Sequence, residues 1–158
     1  MTTSYALAIS VGICALAAAL EGACAGNNVK SYFATLRSPS YAAPLWGWYI
    51  IGVGYYATFF FILYRILKLN TDSILRPVTL GLVLFMMIAN ALWNYVFFRA
   101  RKLFIAFVTG SAAPIFDAAL LISMVELDRV AAWSLVPYLL YRIYAVYWGY
   151  ALWKMNRV

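Results

Sequence analysis

Histidine is entirely absent from this chain of 158 residues. Imidazole is a common ligand of haem iron and zinc, and it is the usual base in catalytic triads and proton relays. The sequence therefore excludes His-ligated haem, His-based zinc sites and imidazole catalysis. We predict no metal site and no catalytic residue, and we favour a protein that is not an enzyme while leaving that class open.

Cysteine and charged residues are also scarce. Cys14 and Cys24 are the two cysteines; on one predicted helix they lie about 15 Å apart along the axis, too far to form a disulfide. Charged residues make up 11% of the chain, with a net charge of +7. Because the basic residues are spread over the predicted loops, we expect no nucleic-acid partner.

Apolar sequence is abundant, since 66% of the residues are hydrophobic. A helix needs about 20 apolar residues to cross ~30 Å of hydrocarbon, and several such stretches follow one another here. The alternating segments of a membrane β-barrel are missing. We predict an all-α membrane protein, a bundle of five transmembrane helices that forms one domain over residues 1–158. The predicted helices are Tyr5–Ala25, Pro44–Leu67, Pro77–Phe98, Leu103–Val125 and Ala131–Trp153.

Basic residues near the helix ends predict the orientation. One side of the membrane receives Lys30, Arg37, Arg99, Arg101, Lys102, Lys154 and Arg157, and the other receives Arg65, Lys68, Arg76 and Arg129. Cytoplasmic loops carry an excess of basic residues, so we predict that the side with seven is cytoplasmic and that the N-terminus lies outside. Residues 1–4 contain no Lys or Arg, unlike the start of a signal peptide, so we expect the first helix to be retained.

The longest predicted loop is the interfacial segment 26–43. Within it Val29, Tyr32, Phe33 and Leu36 follow the i, i+3, i+4, i+7 pattern of a short helix with one apolar face. This helix would lie as a lid over one end of the bundle. The alternative is a plain surface linker.

Polar residues at membrane depth are candidates for function. On the third predicted helix Asn90, Trp93, Asn94 and Phe97 share one face. Their amides would either hydrogen-bond a neighbouring helix or line a ligand cavity.

Aromatic rings flank small residues on two other predicted helices. The second helix carries Trp48, Gly52 and Tyr56 on one face, and the fifth carries Tyr141, Ala145 and Trp148. Such rings around a gap would form a slot for a planar apolar molecule, although a glycine serves close helix packing equally well.

Asp117 and Arg142 are the two opposed charges deep in the predicted bundle, at depths that differ by about 5 Å. We predict an ion pair, with a ligand carboxylate as the alternative partner of the Arg142 guanidinium. Pro114 is expected to kink the fourth predicted helix beside Asp117. Glu21 lies near the cytoplasmic end of the first helix and is expected to reach the interface.

Near the C-terminus Val146, Tyr150 and Lys154 satisfy a proposed cholesterol-contact pattern. The pattern is permissive, and a chain with 13 tyrosines often matches it by chance.

Four stretches together resemble the TspO family of tryptophan-rich sensory proteins, which includes the mitochondrial translocator protein. They are Tyr32–Pro39, which resembles WYxxLxKP; Pro44–Trp46 with Tyr56, which resembles PxW…LY; Asn90–Trp93 with Phe97 and Phe98, which matches NxxWxxxFF; and Ala131–Ala132, Pro137–Leu139 and Asn156, which match AA…PYLxW…LN. The resemblance covers about Ser31 to Asn156.

The resemblance implies a five-helix bundle, usually dimeric, whose cavity opens toward the long first loop and binds porphyrins, sterol-like molecules or synthetic apolar ligands. Carried over by position, the cavity lining falls on Trp48, Asn90, Trp93, Ala145 and Trp148, with Tyr141 nearby.

Several positions depart from the family pattern, among them Trp148 and Gly149, which stand where the family has a leucine and an asparagine. Two family tryptophans implicated in light-dependent porphyrin breakdown are replaced by Gly52 and Tyr141, and the pattern does not lead us to expect Arg142. The pocket should therefore be wider and more cationic than usual.

The expected function is a membrane receptor or carrier for a planar apolar ligand, tetrapyrrole-like or sterol-like, with no required cofactor. A structural subunit that packs against other membrane proteins and a light-dependent tetrapyrrole-degrading enzyme are the alternatives. The expected partners are the lipid bilayer, the ligand and a second copy of the chain. We expect a bacterial inner membrane, and a bacterial or mitochondrial outer membrane stays open.

Overall fold

The computed structural model describes residues 2–157, and its regular elements over that range are all helices. The α-helices are α1 (Thr3–Ala25), α2 (Val29–Thr35), α3 (Leu45–Lys68), α4 (Leu75–Asn94), α5 (Leu103–Leu127) and α6 (Arg129–Asn156). A π-helical turn, Tyr95–Arg99, continues α4 without a break. When the π-helical turn is counted with α4, the bounds of the five long helices lie within three residues of the predicted ones.

The number of helices that are long and apolar enough to cross a membrane is four within residues 2–157, one fewer than predicted. They are α1, α3, α4 with its π-helical turn, and α5. Helix α6 is long enough, at 28 residues, but it carries Arg142 near its middle and is rich in tyrosine and tryptophan. These side chains lower its apolar character, so composition alone does not identify α6 as a span.

The five long helices form a closed ring. Helix α1 packs between α3 and α4, α5 packs against α4 and more extensively against α6, and α6 closes the ring against α3. Tight connections at Arg101–Lys102 and at Asp128 make α4, α5 and α6 antiparallel neighbours.

One half of the ring is solidly packed. On α3, Phe59, Ile62, Leu63 and Ile66 recur at helical spacing and are fully buried. They meet apolar side chains from α4, α5 and α6, namely Val83, Met86, Met87, Leu120, Met124, Ala131, Ala132 and Leu135. Burial of this kind fixes how the helices are rotated, because each must present its apolar face to the same core.

The other end of the ring is covered by α2, which occupies most of the segment predicted as an interfacial helix. The buried ring of Tyr32 meets Phe97 and Phe98 of the π-helical turn edge-on. Downstream, the Arg37 N–H donates to Asn156 Oδ1 at 2.9 Å, and Asn156 Nδ2 donates back to the Arg37 carbonyl at 2.8 Å. The segment is therefore a lid that is hydrogen-bonded to the C-terminal end of α6, rather than a plain linker.

Asp128 connects the solid ends of α5, α6 and α3. Its Oδ1 accepts the backbone N–H groups of Val130 and Ala131, which caps α6, and its Oδ2 accepts Arg65 Nε at 2.5 Å. Burial by itself raises the pKa of this carboxyl, but the hydrogen bonds and the positive charge of Arg65 outweigh it, and the pKa lies below its ordinary value of 3.8.

Replacing Asp128 tests this cap. Asp128→Ala should lower the free energy of unfolding by about 1–2 kcal/mol, whereas Asp128→Asn keeps an acceptor at the cap and should cost less. Because the pKa is lowered in the folded state, the contribution is complete at neutral pH and is lost as the pH falls through that pKa. SDS titration in detergent micelles, followed by circular dichroism, should show wild type and Asp128→Ala converging below pH 3.8. A constant difference down to acid pH would contradict the ion pair.

Candidate functional site

A cavity of about 160 Å³ lies in the half of the ring beneath the lid. All eight predicted site residues line it: Trp48, Gly52, Asn90, Trp93, Tyr141, Arg142, Ala145 and Trp148. The structure thus brings together side chains from α3, α4 and α6 that lie up to 100 positions apart in the sequence. That these residues bind a ligand stays a prediction.

The predicted slot between two aromatic faces is only partly present. The rings of Trp48 and Trp148 are in contact, with centroids 4.4 Å apart, so no ligand fits between these two. Tyr56 does not line the cavity, because its hydroxyl donates to Glu21 on α1. The gap at Gly52 is real, since a Cβ added there would meet no atom within 4 Å.

The position of Glu21 differs most clearly from the sequence prediction. Rather than reaching the interface, its carboxylate lies at the cavity wall and accepts three hydrogen bonds. Oε2 accepts Tyr56 Oη at 2.7 Å and Asn90 Nδ2 at 2.9 Å, and Oε1 accepts Asn94 Nδ2 at 3.2 Å. The two amides predicted either to bind a neighbouring helix or to line a cavity do both.

Trp93 connects α4 with α5. Its Nε1 donates to the Ala106 carbonyl at 2.7 Å, and its ring stacks on Phe97 at 5.0 Å between centroids. The indole also lies against Gly110, where an added Cβ would come within 3.2 Å of Nε1. The π-helical turn that follows is a feature often found at functional sites, and it turns both Phe97 and Phe98 toward the cavity.

Arg142 and Asp117 form the predicted ion pair, with Arg142 Nε 2.8 Å from Asp117 Oδ2. The Asp117 side chain is fully buried, and the guanidinium lies 5.5 Å from the centre of the Tyr138 ring. Among residues 2–157 the guanidinium makes no hydrogen bond through its terminal nitrogens, and Arg142 lines the cavity. The structural pair therefore leaves the terminal N–H groups available to a ligand.

Three buried polar atoms have no hydrogen-bond partner within the described part of the chain. Tyr55 Oη and Trp148 Nε1 belong to residues of the cavity wall, and Asp117 Oδ1 lies beside the ion pair. Because buried polar groups are nearly always hydrogen-bonded, such atoms indicate places for a ligand atom or a water molecule.

The cholesterol-contact pattern does not form one surface of the cavity. Val146 lines it, but Tyr150 and Lys154 do not. Tyr150 packs between Phe107 and Trp153, and the Lys154 ammonium lies 5.7 Å from the Tyr150 ring centre. These two residues belong to an aromatic cluster outside the cavity.

Sequence reasoning missed several other lining residues, namely Glu21, Phe33, Tyr55, Gly110 and Tyr138. Only Glu21 carried a signal, because it is the one acidic residue in the first apolar stretch. The other four are apolar, aromatic or small residues that look like ordinary packing in a chain of this composition.

The fold and the cavity define a helical membrane protein with an aromatic-walled chamber at one end of its bundle. The profile of the TspO/MBR family matches residues 10–154, and the chain belongs to that family. It is similar to the tryptophan-rich protein TspO of Bacillus cereus, with 26% identity over 128 residues that cover 80% of this chain and 82% of the relative.

The ion pair gives a direct stability test. Arg142→Met should lower the free energy of unfolding by about 3–5 kcal/mol, because it leaves the Asp117 carboxylate buried without a counter-charge. Adding Asp117→Leu should recover most of that loss. SDS unfolding of the two single variants and the double variant measures the coupling. Additive losses in the double variant would show that the two charges do not depend on each other.

Proposed function

We propose that this protein is a membrane receptor or carrier that holds a planar, largely apolar ligand, tetrapyrrole-like or sterol-like, in the cavity beneath the lid. The observation that carries the proposal is the convergence of aromatic rings, an open gap at Gly52 and available polar groups on one chamber. Small-molecule sites combine these features: mostly apolar walls with a few placed polar groups.

The size of the chamber limits what can enter without rearrangement. A dry cavity of about 150 Å³ accommodates benzene, and drug-sized ligands occupy about 300–1,000 Å³. A macrocycle would therefore need additional space, which separation of the Trp48 and Trp148 rings and the gap at Gly52 would supply. We infer that the ligand opens the chamber as it binds.

Two side chains would orient the ligand. The terminal N–H groups of Arg142 suit a carboxylate, which a planar guanidinium binds with two parallel hydrogen bonds. Asn90 Nδ2 donates a hydrogen bond to Glu21 Oε2. The Oδ1 atom of Asn90 is left to accept a hydrogen bond from a ligand N–H or O–H. A planar ligand with a carboxylate near Arg142 and an N–H or O–H group near Asn90 satisfies both side chains.

The proposed membrane arrangement has five spanning helices, with α6 included because it closes the ring over 28 residues. The loops and helix ends on the lid side carry seven basic residues, and those on the opposite side carry four. This asymmetry supports a cytoplasmic lid and an N-terminus outside. We propose a bacterial inner membrane and a homodimer, following the family.

One observation favours a second candidate, a structural subunit. The Trp48–Trp148 contact closes the predicted slot, as expected if these rings only pack the bundle. A chamber that stays closed to every ligand would identify this role.

The Gly52 gap provides the decisive binding test. Quenching of tryptophan fluorescence by protoporphyrin, in the dark, should saturate with wild type in detergent. Gly52→Leu should weaken binding by about tenfold or more because the branched side chain fills the gap. The matched control is Gly54→Leu, which adds the same side chain on the exposed side of α3 and should bind like wild type. No saturation with wild type would favour the structural subunit, and protein-dependent bleaching under illumination would favour the enzyme.

The role of Arg142 is tested without breaking its ion pair. Arg142→Lys keeps a positive charge for Asp117 but lacks the planar fork, so affinity for protoporphyrin should fall several-fold. Affinity for the dimethyl ester of protoporphyrin, which has no carboxylate, should not change between the two proteins. Equal losses for both ligands would mean that Arg142 does not contact a carboxylate.

A further inference from the structure

A second cavity, of about 320 Å³, lies between α4 and α5. Its lining residues from these helices are Phe85, Met86, Ala89, Asn90, Leu92, Trp93 and Val96 on α4 and its π-helical turn, and Thr109, Gly110, Ala113 and Phe116 on α5. Tyr138 and Arg142 of α6 complete it. The cavity is thus a crevice between two adjacent helices that has a third helix behind it.

The crevice opens on the flank of the bundle rather than at the lid. Phe85, Leu92 and Phe116 on its lining are 46%, 57% and 38% exposed. They lie well inside α4 and α5, both of which are long and apolar enough to span a membrane. Phe85 and Phe116 contact each other at 4.9 Å between centroids and close the end of the crevice farther from the lid. In a single chain the opening therefore lies on the side of the bundle that would face lipid.

The crevice and the central chamber share a wall. Five residues line both cavities: Asn90, Trp93, Gly110, Tyr138 and Arg142. The Trp93 indole is held by its hydrogen bond to the Ala106 carbonyl and by stacking on Phe97. The absence of a side chain at Gly110 gives this indole its place against α5. The Trp93 indole therefore forms part of the wall between the two cavities.

The lid end of the chamber is held in place by hydrogen bonds and is flanked by positive charge. The lid is hydrogen-bonded to Asn156, and the Ala43 N–H donates to Tyr144 Oη at 3.0 Å. Seven basic residues flank that end. A sparingly soluble ligand is concentrated in the hydrocarbon rather than in water, so the shortest path from its reservoir to the chamber passes through the crevice.

We propose that the crevice between α4 and α5 is a lateral portal through which the apolar ligand passes between the bilayer and the central chamber, with the Trp93 indole as its gate. The proposal rests on the proposed function and adds the route. The occupant of the crevice is the ligand in transit.

Substitutions that fill the crevice without touching the chamber test the route. Ala113 on α5 and Ala89 on α4 line only the crevice, so Ala113→Phe and Ala89→Phe each obstruct it from one side. The matched control is Ala112→Phe, whose side chain is exposed on α5 and lines neither cavity. Each protein is reconstituted in lipid vesicles and mixed by stopped flow with vesicles loaded with protoporphyrin, and then with empty acceptor vesicles. Tryptophan fluorescence gives both rates.

Ala113→Phe and Ala89→Phe should slow association and dissociation by the same factor, about tenfold, because a barrier on the route raises both activation free energies equally. The Kd should stay within about twofold, and Ala112→Phe should match wild type. The proposal is overturned if both crevice variants bind with unchanged rates, since the ligand then passes the lid. It is also overturned if they change the oligomeric state, which would mean that a second copy covers the crevice. Absence of saturable binding by wild type would instead remove the proposed function, and the portal with it.

Discussion

A polar side chain at membrane depth must find its partner inside the protein, because hydrocarbon offers none. In this bundle that constraint sets two connections between helices, and a third polar connection lies at the end of the ring away from the lid. Glu21 joins α1 to α3 and α4 through three hydrogen bonds, Asp117 and Arg142 join α5 to α6, and Asp128 joins the end of α6 to α3 through Arg65. Together they connect all five long helices of the ring, and two of the three lie at the chamber.

The ring divides into a solid half and a hollow half, and this division positions the site. Branched and aromatic side chains of α3 fill the half away from the lid. Toward the lid, Gly52 and Ala145 contribute little volume, and large rings stand around the space they leave. The solid half holds the helices in register, so the rings of Trp48, Tyr141 and Trp148 keep their places around a chamber that is not itself fully packed.

The departures from the family pattern meet at one place. Gly52 leaves open space where the family has a tryptophan, Tyr141 replaces another, and Arg142 presents a guanidinium to the same chamber. An indole yields an electron more readily than the side chains that replace it here. These differences favour a ligand with a carboxylate over photochemistry on it, and the crevice beside Trp93 is the route that we propose for that ligand.

Hydropathy and helical periodicity predicted the long helices and the faces that carry Asn90, Trp93 and Trp148, because both depend only on local sequence. They left the segment 26–43 open between a lid helix and a linker. The pairing of Asp117 with Arg142 was predicted because, in two antiparallel helices joined by a short turn, the number of residues from the turn gives each residue's depth in the membrane. The sequence analysis predicted α6 as a fifth span, but α6 is not among the four helices that are apolar enough to cross a membrane within residues 2–157, because it carries Arg142 and many tyrosines and tryptophans. The direction in which Glu21 points, the contact between Trp48 and Trp148 and the crevice beside Ala113 were decided by the tertiary structure alone. Each depends on how far each helix is rotated and how closely its neighbours approach, and many side chains distant in sequence set those two quantities together.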